Sequence, residues 1–254
     1  MANIPLSVSI NWRSIVVGLL VFLGVLYYFS AYHWKLHKHS SKTIIKTQYL
    51  NINGAEKGIF YRHGLPEKPL LKVLFLHGKR FSSKTWEDIG TLEFLSKKSY
   101  EVLAVDLPAF GNSSTLEAPK SPSDKAKFLE ILIQKLDYEH SILVAPSMSG
   151  SYAFPYIFNG ENAKKLEGFV PIAPVGTEDF TEDQFKKLGL KTLIVYGQED
   201  KQPFVSKAIK KLQLIPDAIT RRIDQAGHVC YIDHADEFHS NLEEFLEKLQ
   251  ENKS

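Results

Sequence analysis

A single cysteine, Cys230, stands among 254 residues, so no intramolecular disulfide braces the chain. That scarcity leaves the redox compartment open, because an oxidising one does not require bridges. A surplus of charge is also missing. The 31 basic residues nearly balance 29 acidic ones. Three of the cations (Arg13, Lys35, Lys38) lie in the first 40 residues, where there is no acid, so the remainder carries 28 basic against 29 acidic groups. Such a chain has no broad basic field, which excludes nucleic acid as the expected partner. Internal repeats and low-complexity tracts are absent as well. What is present is 44% hydrophobic residues, enough for the core of one ordinary domain with an appendage.

Charge vanishes altogether from residues 14–32, "SIVVGLLVFLGVLYYFSAY". A helix of that length rises roughly 28 Å, about the thickness of a bilayer's hydrocarbon core. Trp12 and Trp34 flank it, and Tyr27, Tyr28 and Tyr32 cluster near its second end, as in an aromatic belt. It has neither the polar stripe of a buried core helix nor the short apolar run and small-x-small exit of a cleaved signal. The expected organisation is a tail over 1–13, a transmembrane signal-anchor over 14–32, a linker over 33–42 and a domain over 43–254. Lys35, Lys38 and Lys42, with His33, His37 and His39, make the second flank the more basic, which by charge alone turns the domain toward the cytoplasm. No cysteine or carboxylate joins those three histidines. They read as snorkelling residues at a membrane edge, and no metal site is expected.

Within the domain, "TIIKTQYLNI" and "KGIFYRHG" read as strands joined by a hairpin turn at Asn53-Gly54. Strands and helices alternate after them. The strands are "KVLFLHG", "YEVLAVDLP", "SILVA", "LEGFVPIAP", "KTLIVYG" and "AITRRID". The helices span Trp86 to Lys98, "SDKAKFLEILIQKL", Ser147 to about Asn159, Thr181 to Leu188, Ser206 to Leu212 and Ala235 to Leu249. This alternation predicts an α/β class with a mostly parallel sheet covered on both faces, and ligands bind such sheets at the carboxyl ends of the strands.

Those ends carry His77-Gly78, Asp106, Ser147, Asp200 and, just beyond the penultimate strand, His228. Serine, acid and histidine follow in the chain order of an α/β-hydrolase. The nucleophile elbow G-x-S-x-G lacks both its glycines here and reads Ala145-Pro146-Ser147-Met148-Ser149, with the next smallest side chains in their places. Ser149 is the rival nucleophile, but Val144 is the last strongly apolar strand residue, and the elbow should follow within about three positions. Asp200 would orient the histidine, with adjacent Glu199 as its substitute; the competing role for Asp200 is helix capping. His228 follows Gly227, whose missing side chain would let the loop approach the serine. The backbone N–H groups of Lys79 and Met148 would form the oxyanion hole, and His77 reads as a structural hydrogen-bonding residue. Asn112-Ser113-Ser114 is a glycosylation acceptor sequence.

The run from His77 to Ser83, Trp86, Asp106-Leu107-Pro108, Pro146-Ser147-Met148-Ser149-Gly150, "GFVPIAP", "LIVYG" with Asp200, and "AGHVCY" together resemble the α/β-hydrolase domain-containing protein 14 family. The N-terminal anchor and the stretch following "VPIAP" are similar to the membrane-anchored A-type member. Ala109 departs from the glycine usual after "DLP" and puts the local loop shape in question. The resemblance implies a Ser147, Asp200, His228 triad and small-acyl hydrolase or acyl-transfer chemistry. It also implies a single-pass type II topology, against the flanking charge. The expected activity is therefore a serine hydrolase acting on small acyl esters, thioesters or amides. No cofactor is required, and water or a thiol such as coenzyme A accepts the acyl group. The segment between "GFVPIAP" and "KTLIVYG" is too short for a large lid domain. The alternatives are a non-catalytic, membrane-tethered hydrolase fold that binds a protein partner and a lipid-facing interaction module. The sequence names no protein partner.

Overall fold

A computed structural model of the chain describes residues 22–28, 44–52 and 58–251. The chain divides into two units, Met1–Lys42 and Thr43–Ser254. In the first, residues 22–28 are helical (α1) and leave Phe22, Leu23, Val25 and Leu26 exposed. Among the described residues, no helix is long and apolar enough to cross a membrane. The rest of the expected anchor, the 33–42 linker with its three histidines, and the hairpin turn at 53–57 lie outside the described residues.

The second unit is built on an eight-stranded sheet in the order β1-β2-β4-β3-β5-β6-β7-β8. β1 (Ile45–Leu50) pairs antiparallel with β2 (Ile59–Gly64), from Ile45 opposite Gly64 to Leu50 opposite Ile59. β2 runs antiparallel to β4 (Glu101–Val105). From β4 onward every pairing is parallel, through β3 (Lys72–Phe75), β5 (Ser141–Pro146), β6 (Leu166–Ile172), β7 (Leu193–Gly197) and β8 (Ile219–Ile223).

Two cores form because side chains alternate across a strand while both faces are covered. Val73, Phe75, Ile142 and Val144 face one core, with Trp86, Leu92, Phe238 and Leu242. Leu74, Leu76, Leu143 and Ala145 face the other, with Leu129, Ile133, Phe154 and Leu212. The first is covered by α2 (Ser83–Asp88), α3 (Thr91–Lys97), α8 (Cys230–Asp233) and α9 (Ala235–Glu251). The second is covered by α4 (Pro122–Lys135), α5 (Gly150–Ile157), α6 (Glu182–Lys186) and α7 (Val205–Leu212). Only α6 interrupts the connection from β6 to β7, so no lid domain is inserted there.

One expected helix is two. Residues 86–98 do not run as a single helix, because Gly90 at φ 76° ends α2 in the left-handed region and opens α3. α8 was not foreseen, since four residues show no period. The loop after β4 answers the question raised by Ala109, which takes φ 72° and donates its N–H to the Ser113 carbonyl. The loop keeps a glycine's shape with an alanine in it. A left-handed non-glycine residue costs about 1–2 kcal/mol, against about 0.5–1 kcal/mol of extra chain entropy for glycine. Ala109→Gly should therefore raise the unfolding free energy measured in urea slightly, by no more than about 1 kcal/mol. A destabilised variant would show that the Ala109 side chain is needed where it stands.

Candidate active site

β5 is buried along its whole length and runs out at Pro146. A 3-10 turn, Ser147–Ser149, follows at once and leads into α5. Ser147 occupies φ 48°, a left-handed conformation that lifts its hydroxyl clear of the strand. The neighbours hold it there. Val175 N–H donates to the Ser147 carbonyl at 3.1 Å. A Cβ at Gly150 would overlap the Val175 carbonyl and crowd Pro174, so only glycine fits beneath this contact. Ser149 is fully buried and donates its hydroxyl to the Pro146 carbonyl at 2.8 Å. It braces the turn, and its hydroxyl is not presented at the surface.

Ser147, His228 and Asp200 meet from three strand ends. Ser147 Oγ lies 2.9 Å from His228 Nε2, and His228 Nδ1 lies 2.6 Å from Asp200 Oδ2. The network sets the tautomer: Nδ1–H donates to the carboxylate, which leaves Nε2 to accept from the serine hydroxyl. The Asp200 side chain is 1% exposed and that of His228 26%, so the ion-pairing end is dry and the serine end reachable. Asp200 Oδ1 accepts from Gln202 N–H at 3.0 Å, which fixes the carboxylate's rotation. The capping-like bond and the histidine bond therefore use different oxygens of one carboxylate. Glu199 turns its side chain outward, while its N–H ties the strand to Ala226. Phe204 sets its ring edge-on to the imidazole, with centroids 5.9 Å apart. Cys230, two residues on, is buried, and desolvation pushes its thiol up to about 12. It stays protonated and inert at neutral pH.

The loop after β3 forms the adjoining wall. A Cβ at Gly78 would be 3.8 Å from that of Ser147, so this backbone lies against the elbow. Lys79 N–H has no hydrogen-bond acceptor among the described residues. Met148 N–H belongs to the first turn after the strand, where amides have no intrahelical partner. Of the two expected oxyanion donors, Met148 directly follows Ser147 and Lys79 directly follows Gly78, whose backbone lies against the elbow. His77 is fully buried and spans the loops, with Nδ1 bonded to the Gly78 carbonyl at 2.8 Å and Nε2 accepting from Leu107 N–H at 3.0 Å. Burial lowers its pKa, outweighing the Gly78 carbonyl and the Asp106 charge. It is a neutral brace. Asp106, also fully buried, accepts from the amides of Ser83 and Asn112, both at 2.7 Å, and so joins α2 to the loop after β4. Asn112 itself is exposed.

The glycine that matters for closure is not the one expected. Gly227 has room for a methyl group, its nearest neighbour being Asp233 Oδ2 at 3.6 Å from a Cβ. The tight approach lies at Gly197, where a Cβ would overlap the carbonyl oxygens of both Gly227 and Ala226. Close packing there brings the Asp200 and His228 loops together. Gly197→Ala should cost about 1–3 kcal/mol in urea denaturation by forcing the histidine loop outward. Gly227→Ala should stay within about 0.5 kcal/mol. Equal losses would show that the two loops are not closed at Gly197.

No protein-family model matches the chain. It is 40% identical over 193 residues to Protein ABHD14A of Mus musculus, covering 75% of this chain and 77% of that protein. Protein ABHD14A of Homo sapiens is 39% identical over 193 residues, covering 75% and 70%. ABHD14B of Homo sapiens, provisionally named a protein-lysine deacylase, is 34% identical over 198 residues, covering 76% and 92%. Among solved structures, a predicted CIB-like hydrolase of Thermoplasma acidophilum superposes with a TM-score of 0.71 at 20% identity, covering 82% of this chain and 99% of that one. Carboxylesterase CesB of Bacillus subtilis gives 0.68 at 16% identity, covering 87% and 97%. Those structures share the α/β-hydrolase fold. With A-type relatives at 39–40% identity and B-type relatives at 33–35%, the chain belongs to the ABHD14 family.

Proposed function

We propose that this protein is a serine hydrolase that cleaves small acyl esters, thioesters or amides. The observation that carries the reading is the unbroken hydrogen-bond chain from Ser147 Oγ through His228 to buried Asp200. In the first half-reaction His228 Nε2 takes the serine proton as Oγ attacks the acyl carbon, and Asp200 stabilises the imidazolium. The N–H groups of Lys79 and Met148 hold the oxyanion, each such donor being worth roughly 3 kcal/mol in the transition state. The bond to the leaving group breaks, His228 returns the proton to it, and an acyl-Ser147 ester remains. Water, deprotonated by His228, then releases the acid and restores the serine; a thiol such as coenzyme A in water's place yields a thioester. The relative named as a protein-lysine deacylase supports acylated amines as one substrate class.

Ser147→Ala should abolish both labelling by a fluorophosphonate probe and hydrolysis of 4-nitrophenyl acetate, while Ser149→Ala keeps labelling. Asp200→Asn should cut turnover by up to about ten-thousand-fold by stranding His228 in the wrong tautomer. A Ser147→Ala protein that still hydrolyses ester would leave the alternative, a non-catalytic hydrolase fold that binds a partner.

Residues 14–32 serve in the same reading as a membrane anchor with the domain on the lumenal side. Their freedom from charge supports it, as do the exposed Phe22, Leu23, Val25 and Leu26. Exposed Asn112 reports the topology. Glycosidase should shift the mobility of the membrane-bound protein, and Asn112→Gln should remove the shift. Digestion of the domain by protease outside sealed microsomes would turn it to the cytoplasm, as the basic flank suggests.

A further inference from the structure

We infer that Lys125 recognises a carboxylate on the substrate, so that the preferred acyl compounds are anionic; this rests on the serine-hydrolase reading of the site. α4 follows β4 and α5 follows β5, so both helices begin at the carboxyl edge of the sheet, beside the elbow. Lys125 lies in the first turns of α4. Its ammonium donates to Ser151 Oγ at 3.0 Å, and Ser151 donates in turn to the Met148 carbonyl at 2.8 Å. Two hydrogen bonds thus separate the charge from the residue that follows the nucleophile. Ser151 lies in the first turn of α5, four positions after Ser147.

The charge itself is unbalanced. Lys125 is half-buried against the Tyr152 ring, with its nitrogen 5.3 Å from the centroid, yet it makes no ion pair among the described residues. An ammonium has three donors, and Ser151 takes one. Asp124, its neighbour in the chain, and Glu178, in the loop that packs near Ser151, are each held by a backbone amide: Asp124 accepts from the Ser121 amide to cap α4, and Glu178 accepts from the Gly176 amide. Across the elbow, exposed Lys79 and Arg80 also lack ion pairs among the described residues. A partly dehydrated cation with donors to spare, linked by two hydrogen bonds to the residue after Ser147, is matched by a substrate anion, and a carboxylate offers the acceptor geometry at the least size.

The test uses the full chain and three esters: neutral 4-nitrophenyl acetate, 4-nitrophenyl hydrogen glutarate with its carboxylate on the acyl side, and 4-acetoxybenzoate with its carboxylate on the leaving side. Rates are corrected for spontaneous hydrolysis. The native protein should prefer one carboxylate ester over acetate, and the preferred one identifies the side. Lys125→Met should lower that kcat/KM ratio about tenfold or more, and Lys125→Arg should keep most of it. A ratio unchanged in Lys125→Met overturns the assignment. An equal fall for all three esters does so too, and leaves Lys125 as a brace of Ser151. Calorimetric binding of the same esters to the Ser147→Ala protein separates the two readings. Lys125-dependent binding of a carboxylate ester without turnover by the native protein would sink the hydrolase and keep the anion site. The absence of such binding would sink the anion site alone.

Discussion

The left-handed backbone at Ser147 is the constraint on which the site depends. A left-handed φ of 48° on a residue with a side chain costs on the order of 1–3 kcal/mol, and the surroundings must over-determine it. Four features do so. β5 is buried between β3 and β6, which leaves the turn no freedom to slide along the sheet. Ser149 closes the turn on the Pro146 carbonyl, Val175 closes it on the Ser147 carbonyl, and Gly150 leaves the space that the second closure needs. The residue after β6 repeats the device, since Ala173 stands at φ 42° and begins the loop that carries Val175. Strain at Ser147 is thus held by a second strained turn from the neighbouring strand.

Around that turn the walls are fixed by buried polar groups. His77 joins the loops after β3 and β4, Asp106 joins the loop after β4 to α2, and the Trp86 indole donates to the Leu76 carbonyl at 2.7 Å. Each would be costly to bury without partners, and each is satisfied by backbone groups of a loop that borders the site. These bonds specify where Gly78 and Lys79 lie relative to Ser147. An oxyanion hole needs that kind of support, because its donors act only if they are already in place when charge develops.

Much of this was legible before any coordinates. Short apolar runs gave the strands, and the order serine, acid, histidine at their ends gave the three residues that meet. Where the apolar run stops favours Ser147 over Ser149 in the sequence, and the structure buries the Ser149 hydroxyl against the Pro146 carbonyl. Long-range closeness was not legible. Gly227 drew attention because it precedes the histidine, whereas the crowded glycine is Gly197, thirty positions earlier, pressed against carbonyls of a loop that no local pattern brings near. Gly90 was visible but silent, since an isolated glycine in a helical pattern is usually tolerated, and only the backbone shows it breaking the helix. Lys125 gave no signal at all, because on a helix pattern it is one more solvent-face lysine.

The same distinction explains how the turn at Ser147 forms without the two glycines of the pattern. The G-x-S-x-G pattern asks for small residues because the positions flanking the serine are crowded. Here Ala145 is fully buried in β5 with no positive φ, so a methyl group is accommodated by an extended strand. Ser149 supplies a hydroxyl where glycine would supply nothing, and that hydroxyl bonds the strand end it sits beside. The next residue, Gly150, has no room for a side chain, because the loop after β6 closes there. The turn thus combines a hydroxyl brace at Ser149 with a strict demand for glycine at the next residue.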